Sequence, residues 1–171
     1  MSLKGKAREF AVAAHDRVGQ KRKYSGDPYW FHCEEVAGLV ESVGGDDAMI
    51  AAAFLHDTVE DTGVSLEVIE QEFGADVAQL VSDLTDVSTP SDGNRAARKA
   101  LDREHTAKSS ARAKTIKLAD LISNSKDIAK NDKSFAKVYM KEKALLLPLM
   151  KEGNQTLYKK ALQILDDYKK G

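Results

Sequence analysis

Asp46-Asp47-Ala48-Met49-Ile50-Ala51-Ala52-Ala53-Phe54-Leu55-His56-Asp57-Thr58-Val59-Glu60-Asp61-Thr62 is the stretch on which the reading of this chain turns. Ile50, Ala53 and Phe54 recur at helical spacing, Asp46 or Asp47 supplies an N-cap, and Gly63 closes the pattern. The spacing therefore predicts one helix that stops before Gly63. On such a helix Asp57 faces Glu60 and Asp61, and His56 faces Glu60, because positions three and four apart are neighbours. Like charges so placed repel, by about 0.2–0.5 kcal/mol for each pair in water. The same helix puts Glu60 and Asp61 in its last turn, where the dipole disfavours anions. A divalent cation would turn each of these penalties into attraction.

Outward from this stretch the spacing stays helical. Leu3, Ala7, Phe10, Ala14 and Val18 mark a first amphipathic helix, and Ser25-Gly26-Asp27-Pro28 a loop. A helix over about Trp30–Val43 carries Val36, Leu39, Val40 and Val43 inward and ends at Gly44-Gly45. Ser65 caps Leu66–Phe73, Gly74 follows it, and Val77, Leu80, Val81 and Leu84 mark the next helix. Ser88–Gly93 is the longest polar break, after which helices are expected near Arg95–Ser110, Ile116–Ile128, Phe135–Leu149 and Thr156–Tyr168. No window alternates with period two. The expectation is a single all-α domain over residues 1–171, with about seven to nine helices.

Composition narrows the function. The chain has 171 residues, 31% charged and 42% hydrophobic, with a net charge of −1. No apolar run is long enough for a membrane span, and MSLKGKAREF has no secretory core, so neither membrane nor export is expected. Cys33 is the single cysteine, which excludes an internal disulfide and points to a reducing, cytoplasmic setting. Residues 24–94 hold 16 acids and no Lys or Arg, whereas the other 100 residues hold all 26 bases against 11 acids. That division suits an acidic segment that holds a cation and basic flanks that hold a polyanion. Two solvated faces of opposite sign would produce the same count.

Further candidate ligands lie on either side of the opening stretch. His32 is in phase with Val36, Leu39 and Val43, so its ring points inward. Asp120 lies four residues after Ile116 and four before Asn124, on an inward face where a carboxylate is costly to bury unless paired or metal-bound. Two imidazoles and two carboxylates suit Mn²⁺, Fe²⁺ or Zn²⁺ better than Ca²⁺. His15 and His105 lack a spaced partner of ligand type and read as surface or capping residues. Tyr29, Trp30 and Phe31 read as packing at a helix start, with Tyr29 also placed to shape a substrate wall.

Taken together, Gly19-Gln20-Lys21-Arg22-Lys23, Ser25–Tyr29 with His32, His56–Thr62, Phe73–Val77 and Ile116–Asp120 with Asn124 resemble the HD superfamily of phosphohydrolases. More narrowly they resemble the hydrolase domain of RelA/SpoT-type alarmone enzymes and their small stand-alone relatives. The resemblance implies a compact helical HD domain that removes the 3′-pyrophosphate from (p)ppGpp with Mn²⁺. It implies His32, His56, Asp57 and Asp120 as metal ligands, and Glu60 and Asp61 as the pair that activates water. It sets Arg22, Lys23 and Asn124 against the nucleotide, with Arg98 and Lys99 as further candidates.

The chain departs from the family pattern at Lys23, where many relatives carry Arg, and at Leu121–Ser123, which lack an Arg and a His. It departs again at Asp127, which replaces a small hydroxyl residue, and around Asn94–Lys99. The departures touch substrate and not metal chemistry, so another nucleotide phosphate, NADPH or a non-catalytic nucleotide-binding role stays open. The expected partner is a small nucleotide, not a nucleic acid. The sequence says nothing of oligomeric state.

Overall fold

The computed structural model describes all residues, Met1–Gly171, and is all-α. Ten α-helices and two short 3-10 turns carry it, with no strand and one isolated bridge between Lys21 and Pro28. No helix is long and apolar enough to cross a membrane. The chain divides into two compact units, Met1–Thr85 and Asp86–Gly171.

The first unit contains α1 (Leu3–Arg17), α2 (Trp30–Ser42), α3 (Asp47–Leu55), α4 (Thr58–Thr62), α5 (Leu66–Phe73) and α6 (Ala75–Leu84). Helix α3 is its axis: every residue from Met49 to Leu55 is buried, and α1, α2 and α6 all pack on it. A helix apolar all round belongs inside, and Ala51, Ala52 and Ala53 let its neighbours approach closely. Asp46 starts it, accepting from the Met49 backbone N–H at 2.9 Å.

The helix expected to run on to Gly63 breaks at His56-Asp57. Thr58 Oγ1 donates to the Leu55 carbonyl at 2.7 Å, and the His56 imidazole takes the Ala53 carbonyl at 2.6 Å. Side chains thus occupy the last carbonyls of α3, an alternative to continuing the backbone ladder. Asp57 becomes the N-cap residue of α4, so Glu60 and Asp61 fall in that helix's first turn. The expected dipole penalty on them is therefore corrected: a first turn favours anions. Gly63 ends α4 with φ of 75°, a left-handed conformation that costs glycine nothing.

The second unit contains α7 (Arg95–Ala107), α8 (Ala111–Asn131), α9 (Lys133–Leu146) and α10 (Gln155–Lys170). Its 3-10 turns are Pro90–Asp92 and Leu147–Met150. All four helices start in the same way. Asn94, Ser110, Asp132 and Asn154 accept from the backbone N–H groups of Ala97, Ala113, Phe135 and Leu157 at 3.0–3.1 Å. Helix α8 is the axis here, packed on α9 and α10 and buried through Ile116, Leu118, Ala119, Leu121 and Ile122. A Cβ on Gly153 would meet Leu118 Cδ1 at 2.8 Å and the Met150 and Thr115 backbone at 3.2 Å, so glycine lets the turn before α10 sit close against α8.

Candidate metal centre and active site

His32 is carried by the first turn of α2, and its ring is 1% exposed. His56 closes α3 and is 4% exposed. Asp57 follows at the cap of α4, and one ligand atom from each of these three lies within 4.8 Å of the others. His56 Nε2 is 3.0 Å from Asp57 Oδ2, and His32 Nε2 is 3.9 Å from the same oxygen.

Proton positions decide what this arrangement can do. The Ala53 carbonyl only accepts, so His56 Nδ1 carries the hydrogen of that 2.6 Å bond. In the neutral ring, Nε2 is then a lone pair aimed at a carboxylate oxygen. Asp57 Oδ2 already accepts a 2.6 Å bond from the Tyr29 hydroxyl. Lone pairs that face one another at 3.0 Å need a cation between them, either a second proton on His56 or a metal ion. Two buried imidazoles and a carboxylate are a donor set that fits a divalent transition metal.

Glu60 and Asp61 stand one turn beyond Asp57 and reach the surface. Asp61 is nonetheless anchored: its backbone N–H donates to the Asp57 carbonyl at 2.9 Å, and its Oδ2 accepts from Gln20 Nε2 at 3.1 Å. Although the residue is more than a third exposed, its carboxyl is partly stripped of water. That loss, and then the charge of Asp57, raise it above the ordinary carboxylate range, while Gln20, His15 and His56 pull it back. A carboxylate raised in this way is a better proton acceptor than a free one.

In the second unit, α8 presents Asp120 and Asn124, both half-buried, and Asn124 Nδ2 donates to Asp120 Oδ1 at 3.2 Å. Asn124, expected at the substrate, thus orients a carboxylate first. Lys99 lines a small polar cavity with Arg103, Lys117 and Lys143, facing Asp86, Asp102 and Glu142. Lys143 is pushed down to about 8, first by burial and then by the charge of Lys117, against the pull of Asp120. Arg98 Nε is buried without a hydrogen-bond partner. In the first unit, Arg22 lies 3.7 Å from Glu35, and Lys23 Nζ sits 5.4 Å over the Tyr24 ring.

With this geometry in view, comparison with known proteins is direct. A family pattern described as HD domain matches residues 7–146. The chain belongs to the HD-domain family. Over 125 residues it is 41% identical to the Xenopus tropicalis guanosine-3′,5′-bis(diphosphate) 3′-pyrophosphohydrolase MESH1, covering 71% of this chain and 67% of that one. It is 53% identical over 75 residues to a probable guanosine-3′,5′-bis(diphosphate) 3′-pyrophosphohydrolase of Synechocystis. That match covers 44% of this chain but only 10% of the relative's length. A solved structure described as a metazoan ortholog of SpoT that hydrolyzes ppGpp superposes with a TM-score of 0.87 at 31% identity. It covers 98% of this chain and 96% of its own.

Within this HD domain, three features go beyond the sequence reading. His15, expected at the surface, is fully buried in α1. The signal was available, since Ala7, Ala11, Ala14 and His15 share one helical face through steps of three and four. Tyr29 does more than start a helix, because its hydroxyl holds Asp57. Lys117 and Lys143 carried no signal; charged positions on long helices look alike until the fold gathers them.

Proposed function

We propose that this HD-domain chain is a metal-dependent phosphohydrolase that removes the 3′-pyrophosphate of guanosine-3′,5′-bis(diphosphate) and its 5′-triphosphate counterpart. The products are GDP or GTP and pyrophosphate. One observation carries the reading: Nε2 of His56 and Nε2 of His32 converge on Asp57 Oδ2, at 3.0 and 3.9 Å, one turn ahead of the Glu60-Asp61 pair. The likeness to proteins named for this activity supports it across most of the chain.

His32, His56, Asp57 and Asp120 are the proposed ligands, in the order of the family's His…His-Asp…Asp set. Mn²⁺ is the proposed ion, with Fe²⁺ or Zn²⁺ suiting the same donors. When bound, the ion polarises the phosphoryl oxygens and acidifies water. Tyr29 orients Asp57 through its hydroxyl, and Asn124 orients Asp120. Glu60 and Asp61 accept the proton of the attacking water as its oxygen bonds to the phosphorus next to ribose O3′. The phosphorus–O3′ bond then breaks, and the pair returns that proton to O3′. Lys99, with Arg98 beside it, and Arg22 and Lys23 in the first unit neutralise the remaining phosphates, each by a charge-assisted contact.

The residues 1–171 act in this reading as one HD-type phosphohydrolase domain on a free nucleotide, not a nucleic acid. A cytoplasmic site of action fits its single reduced Cys33. The test is product analysis after incubating Mn²⁺-loaded protein with ppGpp, pppGpp, NADPH and ordinary nucleoside triphosphates. Pyrophosphate with GDP from ppGpp, faster than any other turnover, is expected. NADPH or another nucleotide as the preferred substrate would replace the proposed one, and no turnover on any would leave a nucleotide binder.

A further inference from the structure

The fully buried His15 has no part in the chemistry above, yet its ring is held on both nitrogens. Nδ1 lies 2.7 Å from Gln20 Oε1, and Nε2 lies 3.7 Å from Cys33 Sγ. Gln20 in turn reaches Asp61, Nε2 to Oδ2 at 3.1 Å. Three contacts thus run from the core of the first unit to the exposed acid of the water-activating pair.

The direction of this chain follows from what each group can do. A carboxylate only accepts, so Gln20 must turn its amide nitrogen to Asp61 and its oxygen to His15. That oxygen only accepts, so His15 must carry its proton on Nδ1. Nε2 is then the acceptor, and the Cys33 thiol is its donor. The opposite Gln20 flip would set Oε1 against the Asp61 carboxylate, and the opposite tautomer would leave a buried acceptor facing an acceptor.

The backbone of Gln20 is pinned as well. Its N–H donates to the His15 carbonyl, and its carbonyl accepts from Tyr29, both at 3.1 Å. Helix α4 needs such help. It has five residues, too few to be stable alone. Its end is tied back by Arg17 Nη2, which donates to the Thr62 carbonyl at 3.1 Å.

We propose that Gln20 and His15 are positioning residues for Asp61: the relay fixes Oδ2 through Gln20 and leaves Oδ1 aimed at the water to be activated. The inference rests on the hydrolase reading. A buried histidine that merely packs would also have both nitrogens satisfied, but it would need no partner that ends on this carboxylate.

Four variants test it, Gln20→Met, His15→Phe, His15→Asn and the double Gln20→Met/His15→Phe, each melted to confirm folding and assayed for metal content. Gln20→Met should lower kcat on ppGpp about tenfold, the loss expected for one hydrogen bond to a charged group, with KM and metal content unchanged. His15→Phe should lose less, about threefold, because Gln20 keeps its backbone anchors. His15→Asn should recover to near wild type, since its amide nitrogen can stand for Nδ1. The double variant should lose no more than Gln20→Met, as expected if His15 acts through Gln20.

A second readout needs no substrate. Nitrogen-15 NMR should find His15 neutral with its proton on Nδ1, and Gln20→Met should shift that resonance. A folded, metal-loaded Gln20→Met with kcat within twofold of wild type would overturn the proposal, as would losses that multiply in the double variant. A proton on Nε2 would overturn it equally. A wild type without turnover would count against the hydrolase reading instead, and the tautomer would then decide the relay by itself.

Discussion

The two units of this protein solve opposite electrostatic problems. Met1–Thr85 holds 16 acids against seven bases, and Asp86–Gly171 holds 19 bases against 11 acids. The first gathers its polar groups tightly. His32, His56 and Asp57 meet around one carboxylate oxygen, and hydrogen bonds from Tyr29 and Gln20 fix the acids in place. The second gathers cations instead: Lys99, Arg103, Lys117 and Lys143 line one cavity among Asp86, Asp102 and Glu142, and burial, then the charge of Lys117, holds Lys143 below its ordinary value. Crowded lone pairs call for a cation, and crowded cations call for an anion. A metal ion and a polyphosphate are the ligands that would relieve each.

If the acids of the first unit do chemistry and not merely surface work, the largest effect should come from Glu60. Glu60→Gln keeps shape and removes the base, so kcat should fall by about 10²–10⁴-fold while metal content and KM hold. Steady-state kinetics beside elemental analysis checks this. A loss below tenfold would move proton acceptance to Asp61 alone and weaken the contrast between the units.

The smaller effect lies in the second unit and concerns stability. Lys143 sits at about 8 against an ordinary 10.5, so its charge costs the folded state. Between those values the unfolded chain binds more protons, and the wild type gains stability as pH rises through that window. Lys143→Met removes the cost and should stabilise the protein by about 1 kcal/mol at pH 7, after allowance for solvent screening. The gain should shrink steadily from pH 8 to pH 10.5. Urea melts at pH 7 and pH 10 decide it, and a pH-independent difference would show that Lys143 keeps its ordinary hold on a proton.

Much of this is legible in the sequence. The periodicities that gave α1, α2, α5, α6 and α10 are local, and so are the caps Asp46 and Ser65, which appear where their side chains can reach the third residue on. His32 reads as inward because it shares a face with Val36, and His56 because α3 is apolar throughout. The break after Leu55 was not legible. It depends on Thr58 and His56 competing for carbonyls, which helical spacing does not encode. The burial of His15 lay in the pattern, but its role did not, because its partners Cys33 and, through Gln20, Asp61 are distant in sequence. The gathering of Lys99, Lys117 and Lys143 joins three separate helices, and no local rule foresees it.

One metal ion held by His32, His56, Asp57 and Asp120 is the centre of the proposed chemistry. The direct measurement is the metal content of purified protein, stripped and reloaded with Mn²⁺, for wild type, His56→Ala and Asp120→Ala, with circular dichroism on each. About one ion per wild-type chain and almost none in either variant are expected, with helical content retained. Full occupancy in a folded His56→Ala or Asp120→Ala would contradict it.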